Sequence, residues 1–189
     1  MIGSLGVGEV LGGVARGVNQ ALGGAEFSRT VEENARLAQE RYLGATGATG
    51  EMVYKMGKRE IDTGDRNKLG EYAAALTEEG KAYDVLNNVP GAKEGYLNSI
   101  YGPDLVDENV VDHFNRFGSV ASLAGEALRK LLDGRGQRGD EFKATSPLTE
   151  RLTFELRTQP KTEENGRFQG GLRKAIADIR RLSPFAKSN

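Results

Sequence analysis

The sequence predicts an all-α protein, an extended chain of several helices that is stabilised by oligomeric assembly. Apolar residues recur at spacings of three and four along most of the chain, which is the period of an amphipathic helix. Glycine makes up 26 of the 189 residues, without the three-residue period of collagen. Aromatic residues make up only 7%, and tryptophan is absent, so a single chain offers a sparse core. We therefore expect contacts between copies to supply much of the stability.

Residues 1–25 are predicted to form a glycine-rich amphipathic helix, which we call the head. Its apolar stripe consists of Val7, Val10, Leu11, Val14, Val18 and Leu22, and its glycine stripe of Gly6, Gly13, Gly17 and Gly24. Each glycine costs a helix about 0.5–1 kcal/mol relative to alanine, so the head is expected to fold only against a partner. Glycine stripes let helices pack closely, in bilayers as in bundles. The partner is either lipid or a neighbouring helix.

The start of the head does not fit a signal peptide. It has no basic segment before the apolar run, and Glu9 interrupts that run. The head is also only weakly hydrophobic, whereas a transmembrane helix needs about 20 predominantly apolar residues. We expect a helix that enters a membrane or a helix bundle only under suitable conditions.

Residues 26–88 are predicted to form a helical hairpin or one long helix. Apolar positions at helical spacing include Val31, Ala38 and Tyr42 in the first half and Leu69 and Leu86 in the second. Three glycines lie at intervals of seven residues between these patterns, namely Gly50, Gly57 and Gly64. In a continuous helix this spacing would place all three along one seam.

The second half divides into four segments. Residues 89–104 are predicted to be a connector, and 105–132 an amphipathic helix with acidic residues at its start and basic residues at its end, as the helix dipole favours. Residues 133–166 are predicted to be a linker with one short element, leaning to helix, that begins at Ser146 and Pro147. Residues 167–189 are predicted to form a basic C-terminal helix.

Charge is distributed unevenly along the chain. The head has no net charge, residues 167–189 carry a net charge of +5, and the residues between them carry −6. The basic tail consists of Arg173, Lys174, Arg180 and Arg181. It therefore has three possible partners: the acidic part of the same chain or of a neighbouring subunit, the phosphates of DNA bound without sequence preference, or an anionic membrane.

The sequence predicts no catalytic residue, cofactor or metal site. Cysteine is absent and His113 is the only histidine, so thiolate chemistry is excluded and a zinc site would need carboxylates. A carboxylate pair remains the one catalytic alternative, as in a glycan hydrolase. The acidic residues Asp104, Asp107, Glu108 and Asp112 cluster in sequence, but acids are expected at a helix start for dipole reasons alone. We therefore expect a protein that is not an enzyme.

The chain resembles the small internal virion proteins, or DNA-ejection proteins, of short-tailed bacteriophages. The resemblance is carried by the head MIGSLGVGEVLGGVARGVNQALGGA, by the helix FSRTVEENARLAQERYLGATGATG, and by the cysteine-free, linker-broken helical remainder. It implies storage inside the virion near the portal, release ahead of the genome, and a homo-oligomer that joins other ejection proteins in a channel across the host cell envelope. The implied partners are ejection proteins, portal or tail proteins and the envelope membrane. The alternative is a structural head or tail protein, portal-associated or an adaptor, that never meets lipid.

Overall fold

The computed structural model describes residues 30–157 and 159–186. Their elements in chain order are α1 (Val31–Gly57), α2 (Arg66–Asn88), α3 (Ala92–Tyr101), a 3-10 helix (Pro103–Leu105), α4 (Glu108–Leu132), α5 (Asp140–Arg157) and α6 (Glu163–Arg181). The described residues contain no strand. The prediction of an all-α chain is confirmed for this part of the protein.

The segment predicted as a hairpin or one long helix consists of two helices in its described part. A capping box begins α1: the Thr30 hydroxyl accepts the Glu33 amide at 3.2 Å, and the Glu33 carboxylate accepts the Thr30 amide at 3.1 Å. The helix ends at Gly57, and Arg59 just beyond it has a left-handed backbone conformation with φ 58°. The Glu60 amide donates to the Lys55 carbonyl at 2.8 Å and so caps the helix end.

Four predicted boundaries in the second half differ from the structure. Helix α4 begins at Glu108 and not at residue 105, and α6 begins at Glu163, within the predicted linker, and ends at Arg181. The predicted connector at 89–104 contains the ten-residue helix α3. Helix α5 begins at Asp140, six residues before the predicted start, and Pro147 lies inside it. The Asp140 carboxylate accepts the Gln137 amide at 2.7 Å, which stabilises the earlier helix start. Proline removes one amide donor, and packing of buried Ala144 and Leu148 on either side outweighs that loss.

Residues 30–43 and 82–112 form one compact unit. Its centre is aromatic, since the Tyr42 ring contacts those of Tyr83 and Tyr96 at centroid distances of 6.3 and 4.9 Å. The Gln39 side-chain amide donates to the Ala92 carbonyl at 3.1 Å. This bond fixes the start of α3 against α1.

Residues 44–81 and 113–186 form the second unit. Its core combines large apolar residues of α1, α2, α4, α5 and α6, among them Met56, Leu76, Leu128, Leu148 and Ile179, with several small ones. Nine of the 26 buried apolar residues in the described chain are alanines, so the helices approach one another closely. Each buried alanine contributes less than the roughly 1.5–3 kcal/mol of a buried leucine, which limits the stability of the fold.

Candidate functional site

The head residues predicted to face lipid or a neighbouring helix lie outside the described residues. They are Gly6, Val7, Val10, Leu11, Gly13, Val14, Gly17, Val18, Leu22 and Gly24. Among residues 30–157 and 159–186, we find no helix with the length and apolar character needed to cross a membrane.

The three glycines predicted to share a helix seam have different environments. Gly50 is exposed on α1 with open space around it, Gly57 is the last residue of α1, and Gly64 lies in the following loop. The structure does not bring them together along one helix, because α1 ends at Gly57. Instead, Gly57 lies against Gly171 of α6: a β-carbon added to Gly171 would clash with the Gly57 carbonyl oxygen. Gly171 was not singled out by the sequence, because its neighbour in the fold is more than one hundred residues away.

The four cations of the basic tail fall into two groups on α6. Lys174 and Arg181 pair with Asp178 at 2.8 and 3.3 Å. Burial raises the pKa of Asp178, but hydrogen bonds from Lys174 and Thr63 outweigh it and hold that pKa below its usual value. Arg173 and Arg180 are exposed and make no ion pair within the described residues. Two of the four predicted basic residues are therefore partly neutralised by Asp178 on the same helix.

A buried polar cluster in the second unit was not predicted from the sequence. It consists of Tyr72 and Glu79 on α2 and Arg151 on α5. The Arg151 guanidinium donates to Glu79 Oε1, while Glu79 Oε2 and the Tyr72 hydroxyl have no hydrogen-bond partner among the described residues. Only 2% of the Glu79 side chain and 17% of the Arg151 side chain are exposed. Removing one partner of such a pair would leave the other charge buried and uncompensated.

Burial governs the protonation of this cluster. It raises the pKa of Glu79 by more than the nearby Arg151 charge and hydrogen bond lower it. Burial likewise raises the pKa of Tyr72, with a smaller opposing effect from Arg151, so the phenol stays neutral at physiological pH. The cluster therefore combines a neutral phenol with a carboxyl group whose charge depends on its arginine.

We expect the Tyr72→Phe variant to be more stable than the wild-type protein by about 1 kcal/mol, because the change removes a buried hydroxyl without a partner. Urea denaturation followed by circular dichroism measures the difference. The Tyr101→Phe variant is the control, since Tyr101 is only partly buried and its change should alter stability by less than about 0.5 kcal/mol. A loss of stability in Tyr72→Phe would show that the hydroxyl is hydrogen-bonded.

The single histidine packs against aromatic rings, and one member of the acidic sequence cluster caps a helix. The His113 ring lies 4.6 Å from the Phe117 ring and 5.5 Å from the Phe154 ring between centroids. The Asp107 carboxylate accepts the Val110 amide at 2.9 Å and so caps α4, while Asp104 and Asp112 are exposed. Throughout the described ranges, no group of three or more histidine or acidic side chains is placed to hold a metal ion.

A shallow groove lies between the start of α5 and the turn that follows α6. Its wall includes Phe142, Arg180, Arg181 and Phe185, and Arg138 lies against the Phe185 ring at 5.8 Å from its centroid. Both phenylalanine rings are largely solvent-exposed, at 68% for Phe142 and 59% for Phe185. We call these five residues the arginine–phenylalanine groove. Comparison of the chain with protein-family models, curated proteins and solved structures finds no match.

Proposed function

We propose that this protein is a non-enzymatic virion component of a short-tailed bacteriophage, stored inside the virion and ejected ahead of the genome. After ejection it assembles as a homo-oligomer, with other ejection proteins, into a channel across the host cell envelope. The observation that carries the proposal is the head, whose apolar and glycine stripes precede helices α1 to α6, which we call the body. The proposal requires no cofactor.

The small side chains in the interior of the body support the proposal that the protein unfolds to pass through a narrow phage tail. Alanine supplies many of the buried apolar residues. The packing between α1 and α6 brings glycine against glycine, and Gly125 on α4 packs against the Ala73 carbonyl of α2. Such contacts bury less apolar area than leucine or phenylalanine contacts do, so unfolding costs less free energy. A protein that unfolds for transit and refolds on assembly benefits from this property.

The head supplies the contacts that assembly would need. Its glycine stripe permits close approach of neighbouring helices, and its apolar stripe would then face lipid or a further helix. A ring of copies would bury these stripes, so that folding of the head is coupled to oligomerisation. The channel therefore depends on residues 1–25 for its membrane contact.

Flotation with vesicles tests this proposal. The purified full chain is mixed with anionic or neutral vesicles and compared with a chain that begins at Glu26. We expect head-dependent flotation, a gain of helix in circular dichroism and release of an entrapped dye. Equal flotation of the two chains would contradict a role for the head in membrane contact.

A pair of head variants separates packing from general hydrophobicity. Gly13→Leu combined with Gly17→Leu should abolish oligomers and dye release, because large side chains prevent close helix approach. The matched control replaces the same two glycines with alanine, which is small enough to preserve the packing. Full dye release by the leucine variant would contradict the packing role. A stable helical head without lipid, and no flotation, would favour the structural head or tail protein instead.

A further inference from the structure

The arginine–phenylalanine groove has a composition that the channel function does not explain. Three arginines and two exposed phenylalanines lie around one groove of the second unit. We propose that this groove binds single-stranded nucleic acid, with phosphates on the arginines and bases on the phenylalanine rings. The inference does not rest on the channel function, because it concerns residues of the folded helices and not the head, and it predicts binding in the absence of lipid.

Charge complementarity favours a polyanionic ligand. Arg180 makes no ion pair within the described chain, Arg138 contacts an aromatic ring, and Arg181 pairs with Asp178 at 3.3 Å. Glu141 is the acidic residue in the groove wall, and its carboxylate accepts the Gly139 amide at 3.2 Å. Three arginines beside two carboxylates, Glu141 and Asp178, leave the groove with a net positive charge, and Arg180 is exposed to solvent. Phosphate groups spaced along a strand are suited to such a surface.

The exposed rings distinguish this surface from an ordinary basic helix end. Arginine at the C-terminus of α6 is expected from the helix dipole alone. No comparable reason favours large exposed phenylalanines beside those arginines. Aromatic rings in a basic groove stack with nucleic-acid bases, and the stacking tolerates any sequence because every base has a π-face. The guanidinium of Arg138 against Phe185 holds one such ring in place.

The shape of the site favours a single strand over a duplex or a membrane. Bases in a duplex already stack on one another, so they are not free to stack on Phe142 or Phe185. A bilayer is a broad surface, whereas these rings line the wall of a groove that a flexible strand can follow. The site is therefore assigned to single-stranded nucleic acid without sequence preference.

Fluorescence anisotropy measures the binding directly. The full-length protein is titrated into a labelled oligothymidine of about 16 nucleotides, which spans the site sizes of small single-strand-binding folds. Replacing both Phe142 and Phe185 with alanine should weaken binding at least about tenfold, because two stacking contacts are lost. Phe154→Ala is the matched control, since Phe154 is an exposed phenylalanine on α5 outside the groove, and it should change the Kd by less than about twofold.

The arginines are tested by salt dependence. Arg180→Gln should reduce the slope of log Kd against log salt by about 0.7, the contribution of one phosphate contact to a single strand. Arg167→Gln is the matched control, because Arg167 is exposed on the same helix but lies outside the groove. An equal reduction of the slope in both variants would show diffuse attraction to the surface and would contradict a defined groove.

A tryptophan probe confirms the location and separates the ligand classes. The natural chain has no tryptophan, so Phe185→Trp introduces a single reporter while keeping an aromatic ring. We expect saturable quenching by oligothymidine, with a midpoint that matches the Kd of the same variant measured by anisotropy, and weaker competition from duplex DNA of equal length. Absence of binding by the wild-type protein at low salt would overturn the proposal. So would a blue shift with anionic vesicles that oligothymidine does not compete away, since it would assign the groove to lipid.

Discussion

Replacement of Arg151 with methionine is expected to lower the free energy of unfolding by about 3 kcal/mol at neutral pH. The change leaves Glu79 buried without its cation, and breaking one side of a buried ion pair is far more costly than replacing both. The buried carboxyl then either stays charged in an apolar core or takes up a proton, and both outcomes cost free energy at that pH. Urea denaturation of the full chain measures the loss.

The double variant Glu79→Met, Arg151→Met is the control for this prediction. It removes both charges and fills similar volume, so its stability should return to within about 1 kcal/mol of the wild type or exceed it. A double variant as unstable as Arg151→Met alone would show that arginine packing, and not charge, stabilises this contact.

The pH dependence of Arg151→Met provides a second test. Removing Arg151 removes the two effects that lower the pKa of Glu79, so that pKa should rise further above its ordinary value of 4.5. Between the unfolded and folded pKa values, the folded state binds more protons, so stability increases as pH falls through the folded pKa. The loss of stability in Arg151→Met, relative to the wild-type protein, should therefore become smaller as pH falls from neutral towards the ordinary carboxyl pKa of 4.5. A deficit that is constant with pH would contradict a charged Glu79 as its cause.

Replacement of Gly171 with alanine is expected to destabilise the fold by about 2 kcal/mol. The added β-carbon would clash with the Gly57 carbonyl oxygen and would lie 2.8 Å from the Met56 carbonyl oxygen. These are backbone atoms, so α6 must move away from α1, and that overpacking exceeds the gain in helix propensity. Thermal unfolding of the full chain measures the effect.

Gly166→Ala is the matched control on the same helix. Gly166 is exposed and a β-carbon there meets nothing within 4 Å, so this variant should gain about 0.5–1 kcal/mol from helix propensity. Opposite signs for the two glycine-to-alanine changes are therefore expected. Equal stabilisation of both would show that α1 and α6 are not in contact in solution.

Apolar periodicity predicted the helices and most of their buried faces. The predicted positions Leu69 and Leu86 of α2 are both buried, because a period near 3.6 specifies one face whatever lies opposite it. Val31, in the first turn of α1, was also predicted on an apolar face but is 61% exposed. The earlier start of α5 was not predicted from the sequence, since a Ser-Pro pair is typical of a first turn. That start depends on the Gln137 amide, which donates to the Asp140 carboxylate, and on packing around Pro147.

The sequence by itself determined the helical class, the apolar faces of the helices and the separation of a neutral head from a basic tail. Each of these follows from neighbours along the chain, where a helix brings residues three and four apart to one side. Tertiary structure alone decided that Gly57 meets Gly171, that Glu79 pairs with Arg151, and that Phe142 lies in one groove with Phe185. These contacts join residues far apart in sequence, and a periodic pattern identifies a buried face without identifying the face that covers it.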